Sequence, residues 1–347
     1  MRVSNISTSS LFGSLRQSVA SLQRELVVAQ REATTGRAAD TGLALGNGTG
    51  RRISFINDIE RFTTITETNE IAKQRLETTL SATTSLNQLG ENLLSVLSVN
   101  VGSTTTSHIT AEAGRSSLEA ITGIMNTSFN GEALFGGINT SQSPIADFET
   151  GGGKAALDAA FLGHFGFSKT DPAAGSITTT EMETFLDTVM APLFDGVAWN
   201  TNISSASDDE ITVRIGLEET TTASVSANEK PFRDLMFATV IASEFFDGNI
   251  GEQGQSAAAK KALELVGASG SGFANMQGEL GFQTNRIKQA TDRINVQIDE
   301  LTVHSDKLVE VDPYEAATRL NSLVTQIETS YTLTGRIQQL SLLNYLR

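Results

Sequence analysis

Leu11-Phe-Gly-Ser-Leu15-Arg-Gln-Ser-Val19-Ala-Ser-Leu22-Gln-Arg-Glu-Leu26-Val-Val-Ala29-Gln-Arg-Glu-Ala33 decides the fold class. Its apolar positions Phe12, Leu15, Val19, Leu22, Leu26, Ala29 and Ala33 follow one another in steps of 3, 4, 3, 4, 3 and 4. Alternating steps of three and four keep side chains on one stripe of an α-helix, the seam of a coiled coil. Ser7-Thr-Ser-Ser10 offers N-cap residues and Gly36 a stop.

The same pattern recurs outward from this stretch. Leu76, Leu80, Leu86, Leu89, Leu93 and Val96 place a second helix over about Ile53 to Val99. Ile287, Ile294, Leu301 and Leu308 recur every seven residues, and Asp312-Pro313 ends that helix. A last helix carries Leu320, Leu323, Val324, Ile327, Tyr331 and Ile337. Beyond it, Leu340, Leu342, Leu343, Tyr345 and Leu346 are apolar on nearly every side, which demands partners on several sides. Narrow stripes at both ends predict mutual pairing of the two termini, with leftover stripes meeting other subunits. An ordinary monomeric bundle is the plainer alternative.

The middle differs. Of the formal net charge of −15, residues 140–250 carry −12. Pro144, Pro172, Pro192, Pro231 and the lone Trp199 also fall there, whereas residues 1–143 contain no proline. Proline costs about 3 kcal/mol inside a helix, so its absence permits long ones. Ala155–Phe165 and Thr180–Met190 have helical spacing, Ile211–Ile215 alternates as a strand, and Thr221–Val225 is a weaker strand. The expected class is mainly α: a long antiparallel helical bundle or coiled coil made from both termini, with a central inserted α+β domain. Charge and proline together predict an insert separable from the helical ends.

Composition excludes several functions. The chain has no Cys, so disulfide and thiolate chemistry are absent. An acidic chain lacks the basic footprint of a nucleic-acid binder, and no apolar run approaches the ~20 residues of a membrane span. The start, Met1-Arg-Val-Ser-Asn-Ile-Ser-Thr-Ser-Ser10, lacks the apolar h-region of a signal peptide.

No chemistry-bearing pattern emerges. His108, His164 and His304 are far apart, with no second ligand at helical spacing. Gly153-Lys154 lacks the upstream glycine of a phosphate loop, and Gly46-Asn-Gly48-Thr-Gly50 lacks the third spaced glycine of a dinucleotide loop. Asp208-Asp-Glu210 lacks the spaced oxygens of a calcium loop and reads as solvated. Gly267-Ala-Ser-Gly270-Ser-Gly272 reads as a flexible helix–helix connection. No catalytic, cofactor or metal residues are assigned, and no enzyme is expected.

Several short stretches resemble one family. Thr35-Gly-Arg37 with Asp40-Thr-Gly-Leu-Ala44 is similar to the TGxR…DDPxGLA turn of bacterial flagellins and their hook-associated junction proteins, with Thr41 departing from it. Asn69 and the Leu-rich helix after it fit the same pattern. Asn130-Gly-Glu-Ala-Leu134-Phe-Gly-Gly137-Ile-Asn139 resembles the family's FNG…LFGG stretch, and Val311-Asp-Pro-Tyr-Glu-Ala-Ala-Thr-Arg-Leu320 its VDxxEAxTRL. Ser341-Leu-Leu-Asn-Tyr-Leu346 resembles the ending of hook-associated protein 3.

This resemblance implies a flagellar axial protein. Residues 1–40 and 305–347 would be terminal coiled-coil helices of an inner layer, 41–139 and 229–304 a helical core domain, and 140–228 a surface-exposed insert. Assembly contacts would run through Phe12, Leu15, Val19, Leu22, Leu26, Leu320, Leu323, Val324, Ile327, Tyr331, Ile337, Leu340, Leu342, Leu343 and Leu346. Implied partners are further copies of the chain in a ring or helical lattice, flagellin, another hook-associated protein and a cytoplasmic export chaperone. The implied location is the extracellular flagellum, reached by type III export without a cleaved signal peptide. Two rivals stand beside the hook–filament junction: flagellin of the filament itself, and a glycan- or receptor-binding module. Trp199 beside Asn200 and Asn202 suits the last by stacking on a sugar, against the plainer reading of a buried Trp.

Overall fold

The proline-free stretches become long helices in the computed structural model, which describes residues 8–100 and 107–345. The chain is 76% helical, with long helices from both termini packing together and a small central insert of sheet and helices. In order it runs α1 (Thr8–Thr35), α2 (Thr41–Leu45), α3 (Thr49–Asn100), α4 (Ser107–Met125), β1 (Ser128–Phe129), β2 (Glu132–Ala133), α5 (Gly153–Phe165), α6 (Thr179–Phe185) and α7 (Gly196–Asn202). Then follow β3 (Thr212–Arg214), β4 (Thr220–Thr222), α8 (Lys230–Glu244), α9 (Glu252–Val309) and α10 (Pro313–Tyr345). Two compact units result. One comprises residues 1–64 and 295–347, the other 65–294.

In the second unit, α8 is the axis of the core. Its run Leu235–Ala242 is buried all round, as a helix apolar on every side must be. Phe232 on α8 meets Phe135 and Phe273 edge to face, each with ring centres 5.2 Å apart. Phe237 stacks on Phe194 at 4.7 Å, and Phe245 joins Phe161 and Phe185. One continuous hydrophobic core therefore takes Leu76 and Leu86 of α3, Phe273 and Ile287 of α9, and Phe161, Phe185 and Trp199 from the central segment. Asn69, fully buried, ties α3 to α9 and the β3–β4 hairpin by donating from Nδ2 to Thr291 Oγ1 and to the Ile215 carbonyl, both at 3.1 Å.

Local signals explain the short elements. Asn130-Gly131 turns the β1–β2 hairpin with positive φ at both residues, the geometry that suits right-twisted strands. Thr178 and Glu181 form a reciprocal capping box at the start of α6. After α6 the chain makes a π turn over Leu186–Met190 and a 3-10 turn over Ala191–Phe194 that holds Pro192. The strand expected over Ile211–Ile215 shortens to β3, and the weaker one lies at Thr220–Thr222 instead of Thr221–Val225; the two pair antiparallel, with Val213 opposite Thr221.

One sequence expectation is corrected. The Gly267–Gly272 stretch is not a connection but lies inside the 58-residue α9. Its small residues admit neighbours: the Pro231 ring packs where a Cβ on Gly272 would stand, at 2.5 Å. The central segment shares the core of α8 and α9, to which it contributes aromatic side chains. Its net charge reports only its surface, where Glu219 pairs with Arg286 and Arg293 of α9 and Asp187 with Lys261. Trp199 is buried, the plainer of its two sequence readings, and donates from Nε1 to Asn228 Oδ1 at 2.8 Å, so its face is closed to a sugar.

Candidate assembly interface

The first unit is built on α1 lying antiparallel along α10. Its register is fixed by Gln23, whose Nε2 donates to Tyr331 Oη at 2.8 Å, and by Arg319, which meets Glu32 at 3.5 Å. On α1 the covered positions are Leu15, Val19, Leu22, Leu26, Ala29 and Ala33, the stripe of steps four and three read from the sequence. On α10 they are Ala316, Leu320, Leu323, Ile327, Ser330, Thr334 and Ile337, again in steps of four and three. Two such seams facing each other are an antiparallel coiled coil.

Of the residues the sequence assigned to assembly, Leu15, Val19, Leu22, Leu26, Leu320, Leu323, Ile327 and Ile337 are thus half-buried or buried. Val324 (39% exposed) and Tyr331 (53%) lie off the seam. Leu346 and the side chains of Phe12, Leu340, Leu342 and Leu343 lie outside the described residues. Ser330 and Thr334 were not foreseen in the seam, since both are polar. Other exposed apolar side chains join Val324 and Tyr331: Val27 and Val28 on α1, Ile53 on α3, and Val296 and Val303 seven residues apart on α9. Spacing of seven was the signal available for the last pair.

One end of the helix pair is clipped. Gly36 leaves α1 with φ of +66°, a conformation that favours glycine. The chain then pairs with the segment between α9 and α10: Ala38 N–H donates to the Val309 carbonyl at 2.9 Å, and Val311 N–H to the Gly36 carbonyl at 3.0 Å. Arg37 reaches Asp306 at 2.7 Å, and Glu32 Oε1 accepts from the Ala39 N–H at 3.1 Å. Asp40 caps α2 through the Leu43 N–H, and Asp312 caps the start of α10 through the Tyr314 N–H. Pro313, the first residue of α10, fits there because a first-turn residue needs no intrahelical N–H bond. The two stretches that resemble TGxR…DDPxGLA and VDxxEAxTRL are therefore partners across this clip, which no reading of either alone could reveal.

The family model described as bacterial flagellin N-terminal helical region matches residues 6–140, and the one described as bacterial flagellin C-terminal helical region matches residues 263–346. The chain belongs to the flagellin family. It is a structural subunit of the bacterial flagellum, of a family that self-assembles into a helical lattice in the extracellular organelle. No curated protein matches the chain. In this flagellin-family subunit the N-terminal match takes in α1 to β2 and the C-terminal match α10 with much of α9. No helix among the described residues is long and apolar enough to cross a membrane.

The second unit carries an electrostatic feature of its own. Burial and the neighbouring Glu210 and Glu279 push the Glu229 carboxyl up to about 7. Burial also raises Glu210, with Glu279 adding to it. Two other sites show paired charges: Arg233 holds Asp195 below the usual carboxylate range, and Glu244 is flanked by Lys169 and Lys154.

Proposed function

We propose that this subunit is a hook-associated protein 3-like junction that joins the hook side of the flagellum to the flagellin filament. The observation that carries this reading is the ending Ser341-Leu-Leu-Asn-Tyr-Leu346, which resembles that of hook-associated protein 3. A junction subunit resembles flagellin because its distal face must accept flagellin. Its partners are further copies of itself, flagellin, another hook-associated protein and a cytoplasmic chaperone that covers the C-terminal helix before type III export. Residues 1–40 and 305–347 form the inner layer, 41–139 and 229–304 the surrounding helical layer, and 140–228 presents its acidic outer face to solvent.

In mechanism the subunit is a mechanical connector. Affinity comes from covering apolar seams at ~25 cal/mol per Å², less the free energy of ordering the helices that carry them. Val324, Tyr331 and the last leucines supply the outward contacts, while Leu323 and Ile327 hold the helix pair that presents them. Filament flagellin is the second reading, favoured by the two flagellin matches. Immunogold labelling of intact flagella separates the two. A thin band where filament meets hook is expected, and label along the whole filament would overturn the junction reading.

A further inference from the structure

The last residue of α8 breaks a local rule. Glu244 stands at the C-terminal end of that helix, where the aligned peptide dipoles already place negative charge, and its side chain is only 9% exposed. Helix polarity and burial both oppose a carboxylate there. Two lysines offset this: Lys169 bonds it directly, and Lys154 stands at 3.6 Å. A buried ion pair is weak evidence for stability, since apolar side chains of similar volume often serve a fold as well. Its place in the molecule supplies another reason for it. Glu244, Lys169 and Lys154 line a cleft of about 540 Å³, within the ~300–1,000 Å³ typical of small-molecule sites.

The walls of the cleft come from α4, α5 and the turns that follow α5 and α8, and they are tied together. Arg115 meets Asp247 at 2.7 Å, Lys169 meets Asp158 at 2.8 Å, and Asn249 Nδ2 donates to the Thr170 carbonyl at 2.6 Å. The cleft is therefore preformed. Its charges balance, with Arg115, Lys154 and Lys169 set against Asp158, Glu244 and Asp247. A charged ligand has to take a partner from one of these pairs. A hydroxyl does not, because it donates and accepts at once, and each cation–carboxylate pair offers donor and acceptor side by side. Ser168, Thr170 and Ser243 add hydroxyls of their own. Ala159 and Leu162 supply an apolar strip on α5, with Leu162 52% exposed. We propose that this cleft binds a neutral saccharide, its hydroxyls on the charge pairs and its C–H face on Ala159 and Leu162. The assignment is independent of whether the subunit sits at the junction or in the filament, and it makes no use of Trp199, whose ring is closed off.

The full chain is tested first on an array of immobilised neutral and acidic glycans. Maltose, cellobiose and lactose, with glucuronate as the charged control, are then titrated in solution and followed by saturation-transfer NMR and calorimetry. Binding of at least one neutral glycan is expected, and none of glucuronate. Ala159 is exposed, so Ala159→Trp fills the cleft without entering the core. It is expected to abolish binding and leave the melting temperature unchanged. Asp158→Asn with Asp247→Asn, at side chains 50% and 51% exposed, is expected to weaken binding at least tenfold. Lys169→Met with Glu244→Leu replaces the buried pair by apolar groups and is expected to lose the sugar while the chain still melts cooperatively. The proposal is overturned if no neutral glycan binds, if acidic glycans are preferred, or if Ala159→Trp binds as well as the unaltered chain.

Discussion

Leu323 and Val324 are neighbours in sequence with different surroundings, and that contrast tests which contacts belong to the subunit and which to the assembly. Leu323 is 5% exposed in the seam against α1, whereas Val324 is 39% exposed beside it. Leu→Ala changes in closed cores cost about 2–5 kcal/mol. A two-helix seam leaves the void open to water, so Leu323→Ala is expected near the lower end, about 2 kcal/mol. Val324→Ala in the free subunit should cost no more than about 0.5 kcal/mol, as for other surface positions. The assembled state reverses the order of interest. Full burial of a valine is worth ~1.5–3 kcal/mol, so covering the two-fifths still exposed contributes ~0.6–1.2 kcal/mol per contact. At 1.4 kcal/mol per decade, Val324→Ala then raises the critical concentration for polymerisation about three- to sevenfold. Thermal unfolding of the monomer by circular dichroism at 222 nm, and sedimentation of polymer against total protein, read the two quantities separately. A melting temperature lowered equally by both substitutions would place Val324 in the intrachain seam. An unchanged critical concentration for Val324→Ala would refute its role as an outward contact.

Three further outcomes are expected. Glu229 keeps its proton up to about 7 in the folded chain, against an ordinary 4.5. The folded state therefore binds more protons than the unfolded one between those values, and stability falls as pH rises across that window. Glu229→Gln should leave stability near pH 4.5 almost unchanged and raise it at pH 8 by about 1–2 kcal/mol, a figure held down because the α8 N-terminus favours a negative charge. Urea melts at the two pH values check this, and an equal gain at both would contradict the titration. Phe161→Ala, in the middle of the central segment, should destabilise the second unit by about 3–5 kcal/mol, read as a lowered denaturation midpoint; a loss below about 1 kcal/mol would show the segment to be an independent domain. Under the junction reading, Leu342→Ser with Leu343→Ser should yield cells with bare hooks and filament protein in the medium, whereas normal filaments would remove this ending from assembly.

Much of the fold was legible because helices announce themselves by period. The stripe from Leu15 to Ala33 is the α1 seam, and Asp312-Pro313 marks the start of α10. The misreadings share a physical source. Glycine and serine in Gly267–Gly272 have poor helix propensity, yet tertiary packing overrides it where Pro231 needs a smooth surface to lie against. Acidic residues and prolines in the central segment describe its exterior, while its membership of the core is carried by Phe161, Phe185 and Trp199, three aromatics too widely spaced to form a local pattern.

The assembly surface was legible in kind but not in allocation. Periodicity says that a row of side chains must be covered; it does not say by what. Leu22 and Ala29 occupy equivalent heptad positions, one half-buried and the other buried, and periodicity alone does not distinguish them. The clip was hidden for a different reason. Its hydrogen bonds run between the backbones of Gly36, Ala38, Val309 and Val311, and backbone pairing between segments some 270 residues apart leaves no side-chain signature beyond the glycine that permits the turn.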